Sequence, residues 1–279
     1  MQKNKVLLFF YLPLRLQIKP HTIYMDENRF LFKLRSAFTK ALKEYALLED
    51  GDKVLIGLSG GKDSLALVEL FAERRKIFKP KFTVEAAHVI VRNVPYQSDL
   101  EYLKDYCNNF NIPLHVVETE FDASTDKRKS PCFLCSWNRR KKLFETAQEF
   151  GCNKIALGHH QDDIIETLLM NLTFQGAFST MPPLLKMKKM DFSIIRPLCL
   201  IKESDLQEFA TMRGFKKQIK NCPFEEQSSR SNMKEVLNQL EAMNPHARHS
   251  IWGAMHNVQP EYLPHKYPNS SFASSLIML

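Results

Sequence analysis

The chain has 279 residues, 44% of them hydrophobic, which is enough for one sizeable core or for a main domain with a small appendage. Lysine and arginine outnumber aspartate and glutamate by 39 to 31, so the net charge of +8 favours a polyanionic partner without requiring one. Six cysteines are too few for a disulfide scaffold in a chain this long, and a C-x-x-C pair here is more often metal-binding or redox-active.

The first 24 residues differ from the rest of the chain. Their apolar run from Val6 to Leu14 contains Pro13 and is followed by Arg15, so it is well short of the roughly 20 apolar residues of a membrane span. A basic start and a short apolar run resemble a signal peptide, but no small-residue cleavage site follows. We therefore expect a disordered extension over residues 1–24, upstream of a start at Met25, and no membrane association.

The next segment, residues 25–48, is predicted to be an N-terminal amphipathic helix. Phe30, Leu34, Phe38 and Leu42 recur at helical spacing, with lysine and arginine elsewhere around the helix. The E-D-G-D sequence that follows is a turn signal and ends this helix.

Residues 49–215 alternate between short apolar runs and helical patterns. The predicted strands are 53–58, 82–91, 113–121, 153–160 and 192–198, and the predicted helices are 65–71, 99–110, 136–150, 162–174 and 203–214. Strands separated by helices imply parallel pairing through right-handed crossovers, so the predicted fold is α/β with a doubly wound parallel sheet. A small helical C-terminal part, residues 216–264, and a disordered tail, 265–279, complete the predicted organisation.

The first strand is followed by the loop S-G-G-K-D-S, Ser59 to Ser64. The loop lies where open α/β sheets bind nucleotides, at a strand's carboxyl end and a helix start, where unpaired N–H groups attract anions. Gly60 and Gly61 allow close approach of a ligand, and Lys62 adds positive charge. The spacing is neither that of a Walker loop nor G-x-G-x-x-G. We interpret it as a phosphate site in preference to an ordinary βα turn.

A second candidate site is A-L-G-H-H-Q-D-D, from Ala156 to Asp163, after another strand. Its two carboxylates, Asp162 and Asp163, either cap the following helix or bind a magnesium ion that bridges phosphates.

Two cysteines and a basic run lie in K-S-P-C-F-L-C-S-W-N-R-R-K-K, from Lys129 to Lys142. Cys132 and Cys135 fit a zinc knuckle, a redox dithiol, a disulfide or part of an iron–sulfur site. The basic residues fit either an RNA backbone contact or a solvated helix face. The other cysteines, apart from Cys222, lie in apolar helix or strand contexts and are expected in the core: Cys107, Cys152 and Cys199.

Five motifs in this order resemble one family over roughly residues 27–264. They are S-G-G-K-D-S at 59, P-C-x-x-C-S at 131, A-L-G-H-H-x-D-D at 156, M-P-P at 181 and I-R-P-L at 195. Together they are similar to the tRNA 2-thiocytidine synthetase family of the PP-loop ATPase superfamily, whose fold is of the adenine nucleotide alpha hydrolase type.

The resemblance implies an enzyme, an ATP-dependent tRNA sulfurtransferase. ATP would adenylate the C2 oxygen of a cytidine at position 32, and sulfur delivered through an iron–sulfur cluster would replace that oxygen. The implied cofactors are ATP, Mg²⁺ and a [4Fe–4S] cluster, and the implied partners are tRNA and a sulfur donor such as a cysteine desulfurase. A cytoplasmic location is expected, and a homodimer is left open.

The resemblance also assigns roles to individual residues. The implied catalytic residues are Asp63, Asp163, Cys132 and Cys222. The implied ATP-binding residues are Ser59, Gly60, Gly61, Lys62, Asp63, Ser64, His88, Val89, Gly158 and Asp163. The implied cluster ligands are Cys132, Cys135 and Cys222, with Asp162 as a magnesium ligand, and the expected RNA contacts are Lys129, Arg139, Arg140, Lys141 and Lys142.

Two other functions remain open from the residues. The first is a PP-loop adenylating enzyme that acts on a non-tRNA acceptor through a cysteine persulfide. The second is a metal-dependent RNA-binding protein without catalysis. Better-known family members carry two cysteines near the third ligand, whereas this chain has only Cys222. This difference concerns which nucleotide is modified and not the chemistry.

Overall fold

The computed structural model describes residues 20–94, 98–122, 130–216 and 229–264. These residues divide into two compact units. The first unit runs to Gln161 and resumes from Pro182 to residue 216, and the second comprises Asp162–Met181 and residues 229–264.

Helices and strands alternate through the first unit, and the second unit is helical. The helices are α1 Pro20–Glu44, α2 Lys62–Arg75, α3 Leu100–Asn109, α4 Pro131–Glu149, α5 Gln161–Met170, α6 Glu203–Arg213, α7 Ser229–Met243 and α8 Ala247–Ala254. The strands are β1 Lys53–Gly57, β2 Thr83–Val91, β3 Leu114–Thr119, β4 Lys154–Ala156, β5 Leu184–Lys186 and β6 Ser193–Ile195. A π-helical turn, Asn171–Gln175, and a 3₁₀ turn, Pro260–Tyr262, complete the described elements.

The six strands form one sheet in the order β3-β2-β1-β4-β6-β5. All neighbours pair in parallel except β5, which pairs antiparallel with β6 at the edge. The chain moves from β1 outward to β2 and β3, and then crosses back to β4 on the other side of β1. The strand order therefore reverses between β1 and β4, the place where open α/β sheets bind ligands beyond the strands' carboxyl ends. The predicted fold class is confirmed.

The core lies on both faces of the sheet. Val54, Leu55 and Ile56 of β1 are fully buried, as expected for a central parallel strand covered on both sides. One face packs against α1, α2, α3 and α6 through side chains such as Phe38 and Phe71, whose rings meet edge to face at 5.3 Å. The opposite face packs against α4.

Helix α4 begins five residues earlier than the sequence predicted. Ser130 is its N-cap, since the Ser130 Oγ accepts a hydrogen bond from the Phe133 N–H at 3.3 Å, and Pro131 occupies the first turn. Predicting the helix only from Ser136 was therefore wrong, and both cysteines lie inside its first two turns. Its other end agrees with the prediction, because Gly151 follows with the left-handed φ of +64°.

Other elements differ from the prediction at their bounds. Helix α1 begins at Pro20, inside the segment expected to be disordered, and residues 1–19 lie outside the described residues. Strand β5 was not predicted. Its start is tied to the end of β6, because the Arg196 side chain donates a hydrogen bond to the Pro182 carbonyl at 2.6 Å and the Arg196 N–H donates to the Pro183 carbonyl. The M-P-P and I-R-P-L motifs are thus hydrogen-bonded to each other. Within the described ranges, no helix has the length and apolar character needed to cross a membrane.

Candidate nucleotide and thiol site

The loop from Ser59 to Ser64 turns the chain from β1 into α2 at the point where the strand order reverses. Gly60 adopts a φ of +81°, a left-handed conformation that a side chain would strain. The Oγ atoms of Ser59 and Ser64 are hydrogen-bonded across the loop at 3.2 Å, and the Ser64 hydroxyl donates to the Gly61 carbonyl at 2.9 Å. The loop is therefore held by its own hydroxyls.

The start of α2 has the features of an anion site. Gly61 is its N-cap and has no side chain to satisfy the first N–H groups of the helix. The helix dipole adds partial positive charge at the same place. Lys62, the first helical residue, has its Nζ 3.1 Å from the Asp63 Oδ1 and 3.7 Å from the Glu203 Oε1. The two carboxylates thus hold the ammonium group beside the loop.

Gly158, which follows β4, lies directly against the start of α2. A Cβ at this position would lie 3.2 Å from the Asp63 carbonyl carbon, the Asp63 Cβ and the Ser64 backbone nitrogen. These distances are tighter than ordinary van der Waals contact, and two of the three atoms are backbone. Gly158 is thus placed where only a glycine lets the segment after β4 approach the loop this closely.

We expect Gly158→Ala to weaken ATP binding by roughly 5-fold or more, because overpacking costs about 1–3 kcal/mol and here displaces the loop. The measurement is an equilibrium titration with ATP, alongside circular dichroism to show that the fold is kept. Gly253→Ala is the matched control, since a Cβ on Gly253 meets nothing within 4 Å. Equal ATP affinity in both variants would contradict this role for the contact.

A cavity of about 210 Å³ joins the loop to β2 and α4. Ser59 of the loop, with His88 and Val89 of β2, forms one side, so three of the predicted nucleotide contacts share one cavity. Helix α4 forms the other side through Ser136, Arg139, Arg140 and Leu143. The sequence had assigned the two arginines to RNA, and their place on this wall was not predicted.

His88 is 2% exposed, and its hydrogen bonding defines which ring nitrogen can accept. The Nδ1–H donates to the Leu58 carbonyl at 2.7 Å, because a carbonyl can only accept. Burial lowers the pKa of His88, a shift that the hydrogen bond to Leu58 opposes and the charge of Arg139 reinforces. The neutral ring therefore carries an acceptor lone pair on Nε2, which is buried and has no hydrogen-bond partner among the described residues. Such a group suits an amino-group donor of a ligand.

Cys132 and Cys135 are separated by three positions in the first two turns of α4, so their side chains share one helix face. Cys132 is exposed and Cys135 is half-buried. Cysteine binds metals as the thiolate, and two cysteines at this spacing are a common pair of metal ligands. This pair therefore suits a soft metal centre. The predicted third ligand, Cys222, lies outside the described residues, and within those ranges no group of three potential ligands converges.

The other cysteines that the structure describes are core residues, as predicted. Cys107, Cys152 and Cys199 are all buried. Burial raises the pKa of Cys107 and of Cys199 to about 12, and that of Cys152 to about 11. They therefore remain thiols in the core at neutral pH.

The basic run divides around α4. Arg139 and Arg140 line the cavity, whereas Lys141 and Lys142 pair with Glu145 at 3.8 and 3.7 Å. Lys129 lies outside the described residues. Only part of the run is thus a solvated helix face.

In the second unit, α5 begins with the predicted carboxylate pair. Asp162 is buried and ion-paired with Arg248 of α8, and the Arg248 Nε also donates to the Glu241 Oε1 at 2.7 Å. Asp163 is half-buried in the same helical turn. The ion pair gives Asp162 a structural partner, which the sequence could not indicate because 86 residues separate it from Arg248.

Comparisons with known proteins agree with these features. A family model described as PP-loop domain matches residues 32–239. The tRNA-cytidine(32) 2-sulfurtransferase of Pelobacter propionicus is 35% identical over 253 residues, covering 88% of this chain and 93% of the relative. The enzyme of the same name from Acinetobacter baylyi is 36% identical and covers 84% and 79%.

A solved structure is also similar to the described fold. It is the U34-tRNA thiolase NcsA from Methanococcus maripaludis with its [4Fe-4S] cluster, which is 26% identical with a TM-score of 0.68. The match covers 85% of this chain and 81% of the thiolase.

Proposed function

The chain belongs to the PP-loop domain family and to the tRNA-cytidine(32) 2-sulfurtransferases within it, and we propose on this premise that it replaces the C2 oxygen of a tRNA cytidine with sulfur at the expense of ATP. The modified position is the cytidine 32 that these relatives' names specify. The enzyme class is ATP-dependent tRNA thiolation.

One observation carries the proposal. The cavity extends from Ser59 of the phosphate loop to α4, the helix that carries Cys132 and Cys135 in its first two turns. Cys135 directly precedes Ser136, which lines the cavity. The group that activates the C2 oxygen and the group that delivers sulfur must lie close together, because the same C2 atom loses oxygen and gains sulfur. Helix α4 brings the two functions to the same edge of the sheet.

The loop performs the activation. Its uncapped N–H groups and Lys62 bind the phosphates, and they stabilise the charge that develops on pyrophosphate as the C2 oxygen attacks the α-phosphorus. The bond between the α-phosphorus and the bridging oxygen breaks, and pyrophosphate leaves. A sulfur nucleophile then adds at C2, and AMP departs with the former C2 oxygen. His88 accepts a hydrogen bond through Nε2 from the adenine amino group, which fixes the base beside Val89.

The two carboxylates at the start of α5, Asp162 and Asp163, have different proposed roles. Because the Asp162 carboxylate is bound by Arg248, we assign the magnesium ion that accompanies ATP to Asp163 and a positioning role to Asp162. Cys132, Cys135 and Cys222 would hold a [4Fe–4S] cluster, which when bound would carry sulfide from an external donor for the transfer. A C-x-x-C pair with one exposed and one half-buried thiol suits a reducing compartment, so we place the enzyme in the cytoplasm with a cysteine desulfurase as sulfur donor.

The test is a thiolation assay with anaerobically purified full-length protein, an unmodified tRNA transcript, ATP, Mg²⁺, sulfide and a reductant. We expect 2-thiocytidine in the digested tRNA, together with AMP and pyrophosphate in equal amounts. A transcript with uridine at position 32 is the matched control and should gain no sulfur. ATP cleavage with no sulfur in either transcript would favour a non-tRNA acceptor, and binding of tRNA without ATP cleavage would favour the non-catalytic alternative.

A further inference from the structure

A second cavity, of about 570 Å³, lies on the other side of α4, between this helix and the hairpin of β5 and β6. Its floor is apolar and is formed by Trp137, Phe144, Leu185, Met187, Met190 and Ile194. We call it the Trp137 groove. All of its lining residues belong to the first unit.

Helical spacing explains why α4 has two separate cavities. Ser136, Arg139 and Leu143 recur at intervals of three and four and line the cavity at the phosphate loop. A second row of side chains, one position further along the helix, lines the Trp137 groove: Trp137, Arg140, Lys141, Phe144 and Gln148. Arg140 lines both cavities, so the groove adjoins the site where the activated nucleotide is proposed to lie.

The rim of the groove is basic. Arg140 and Lys141 line it directly, and two exposed lysines, Lys188 and Lys189, lie in the turn between the groove-lining Met187 and Met190. Glu145 also lines it, but this carboxylate is paired with both Lys141 and Lys142. An apolar floor inside a cationic rim is complementary to a nucleotide, which has a flat base and an anionic phosphate.

Trp137 presents the surface that such a base would need. Trp137 is 50% exposed, and the Lys141 Nζ lies 5.8 Å from the centroid of its ring. Cationic and aromatic groups side by side are the combination that binds single-stranded nucleic acid through stacking and phosphate neutralisation.

We propose that the Trp137 groove binds an unstacked base of the tRNA loop, next to the modified nucleotide, with the base stacked on Trp137 and its phosphate held by Arg140 and Lys141. This inference rests on the proposed function, because it assumes that the polyanion is tRNA. It adds a second nucleotide site, which makes recognition depend on loop nucleotides other than the one that is thiolated.

The chain contains two tryptophans, Trp137 and Trp252, which permits a direct optical test. Trp252→Phe leaves Trp137 as the only indole, and Trp252 lies in the second unit, outside the groove. We expect tRNA to quench the remaining fluorescence and to protect it from acrylamide. Fluorescence that stays unchanged when tRNA is bound to saturation would overturn the proposal.

The affinity test uses Trp137→Ala and Trp137→Phe in the full chain, with tRNA binding measured by filter retention and ATP binding by titration. Loss of one stacking platform weakens tRNA binding by about 5- to 150-fold, and the Phe variant recovers part of this loss, with ATP affinity unchanged in both. Phe78→Ala, which removes another exposed aromatic ring away from the groove, is the control and should bind tRNA normally. Equal tRNA affinity in the wild type and in Trp137→Ala would refute the groove while leaving the proposed function intact, whereas no tRNA binding by the wild type would refute both.

Discussion

Replacing Asp63 by alanine is expected to reduce ATP-dependent thiolation by at least about 100-fold, the scale seen when one preorganised electrostatic group is removed from a transition-state site. Asp63 lies in the first turn of α2, and its carboxylate is 3.1 Å from the Lys62 Nζ. Its loss releases the Lys62 ammonium group from the position in which it is proposed to bind the phosphates. Lys62→Ala should be similarly impaired.

The control for this experiment is Glu203→Gln, which removes the charge of the more distant partner of Lys62, at 3.7 Å, while keeping its shape. We expect only a modest loss of activity in this variant. Formation of 2-thiocytidine is measured with wild-type tRNA, and circular dichroism verifies the fold. Wild-type turnover by Asp63→Ala would exclude the proposed role of the loop.

The cysteine variants have the second large expected effect. Cys132→Ala, Cys135→Ala and Cys222→Ala should each lose thiolation by more than about 100-fold, since even changes next to the ligands of a metal centre cost 10- to 100-fold. Each should also lose the brown absorption of an iron–sulfur centre. ATP binding should persist in all three, because the phosphate loop is a separate element that none of these cysteines builds.

Cys152→Ala is the matched control. Cys152 is buried, and its pKa is raised to about 11, so it offers no thiolate to a metal at neutral pH. This variant should keep the absorption spectrum, the iron content and the activity of the wild type. Active protein that contains zinc and no iron would refute the cluster assignment, and full activity of Cys222→Ala would reduce the predicted ligands to the C-x-x-C pair.

Much of the fold could be predicted because its elements carry strong local signals. The strands around the loop are buried on both faces and appear as continuous apolar runs, and Gly151 and Gly214 end their helices with left-handed φ angles. Strand β5 has no such signal. It has three residues, Leu184–Lys186, none of them buried, and it pairs antiparallel at the edge of the sheet, where the β6 partner decides its conformation.

The candidate site was predicted in its motifs but not in its geometry. The sequence placed Ser59, His88 and Val89 in the nucleotide site, and the structure brings them to one cavity. It missed the contribution of Arg139, because the arginines were assigned to RNA and the sequence does not indicate which side of α4 faces the loop. The S-P pair before Cys132 was the available signal for the earlier helix start.

Contacts between residues that are distant in the sequence could not be predicted. The pairing of Asp162 with Arg248 depends on how α5, α7 and α8 assemble, and neither residue carries a local sign of it. The same holds for the position of Gly158 against α2, where a single missing Cβ decides how closely two segments approach.

Helix α4 bounds the phosphate-loop cavity with one row of side chains and the Trp137 groove with the next, and it carries two thiols at its start. The three ligands proposed to bind around this helix become interdependent when the binding of one of them shifts the helix. Any rotation of the helix that ATP induces must change its fit to RNA, and thermodynamic reciprocity then requires RNA to change the affinity for ATP by the same factor. Such coupling would make ATP cleavage depend on bound tRNA, and it would limit the hydrolysis of ATP in the absence of tRNA.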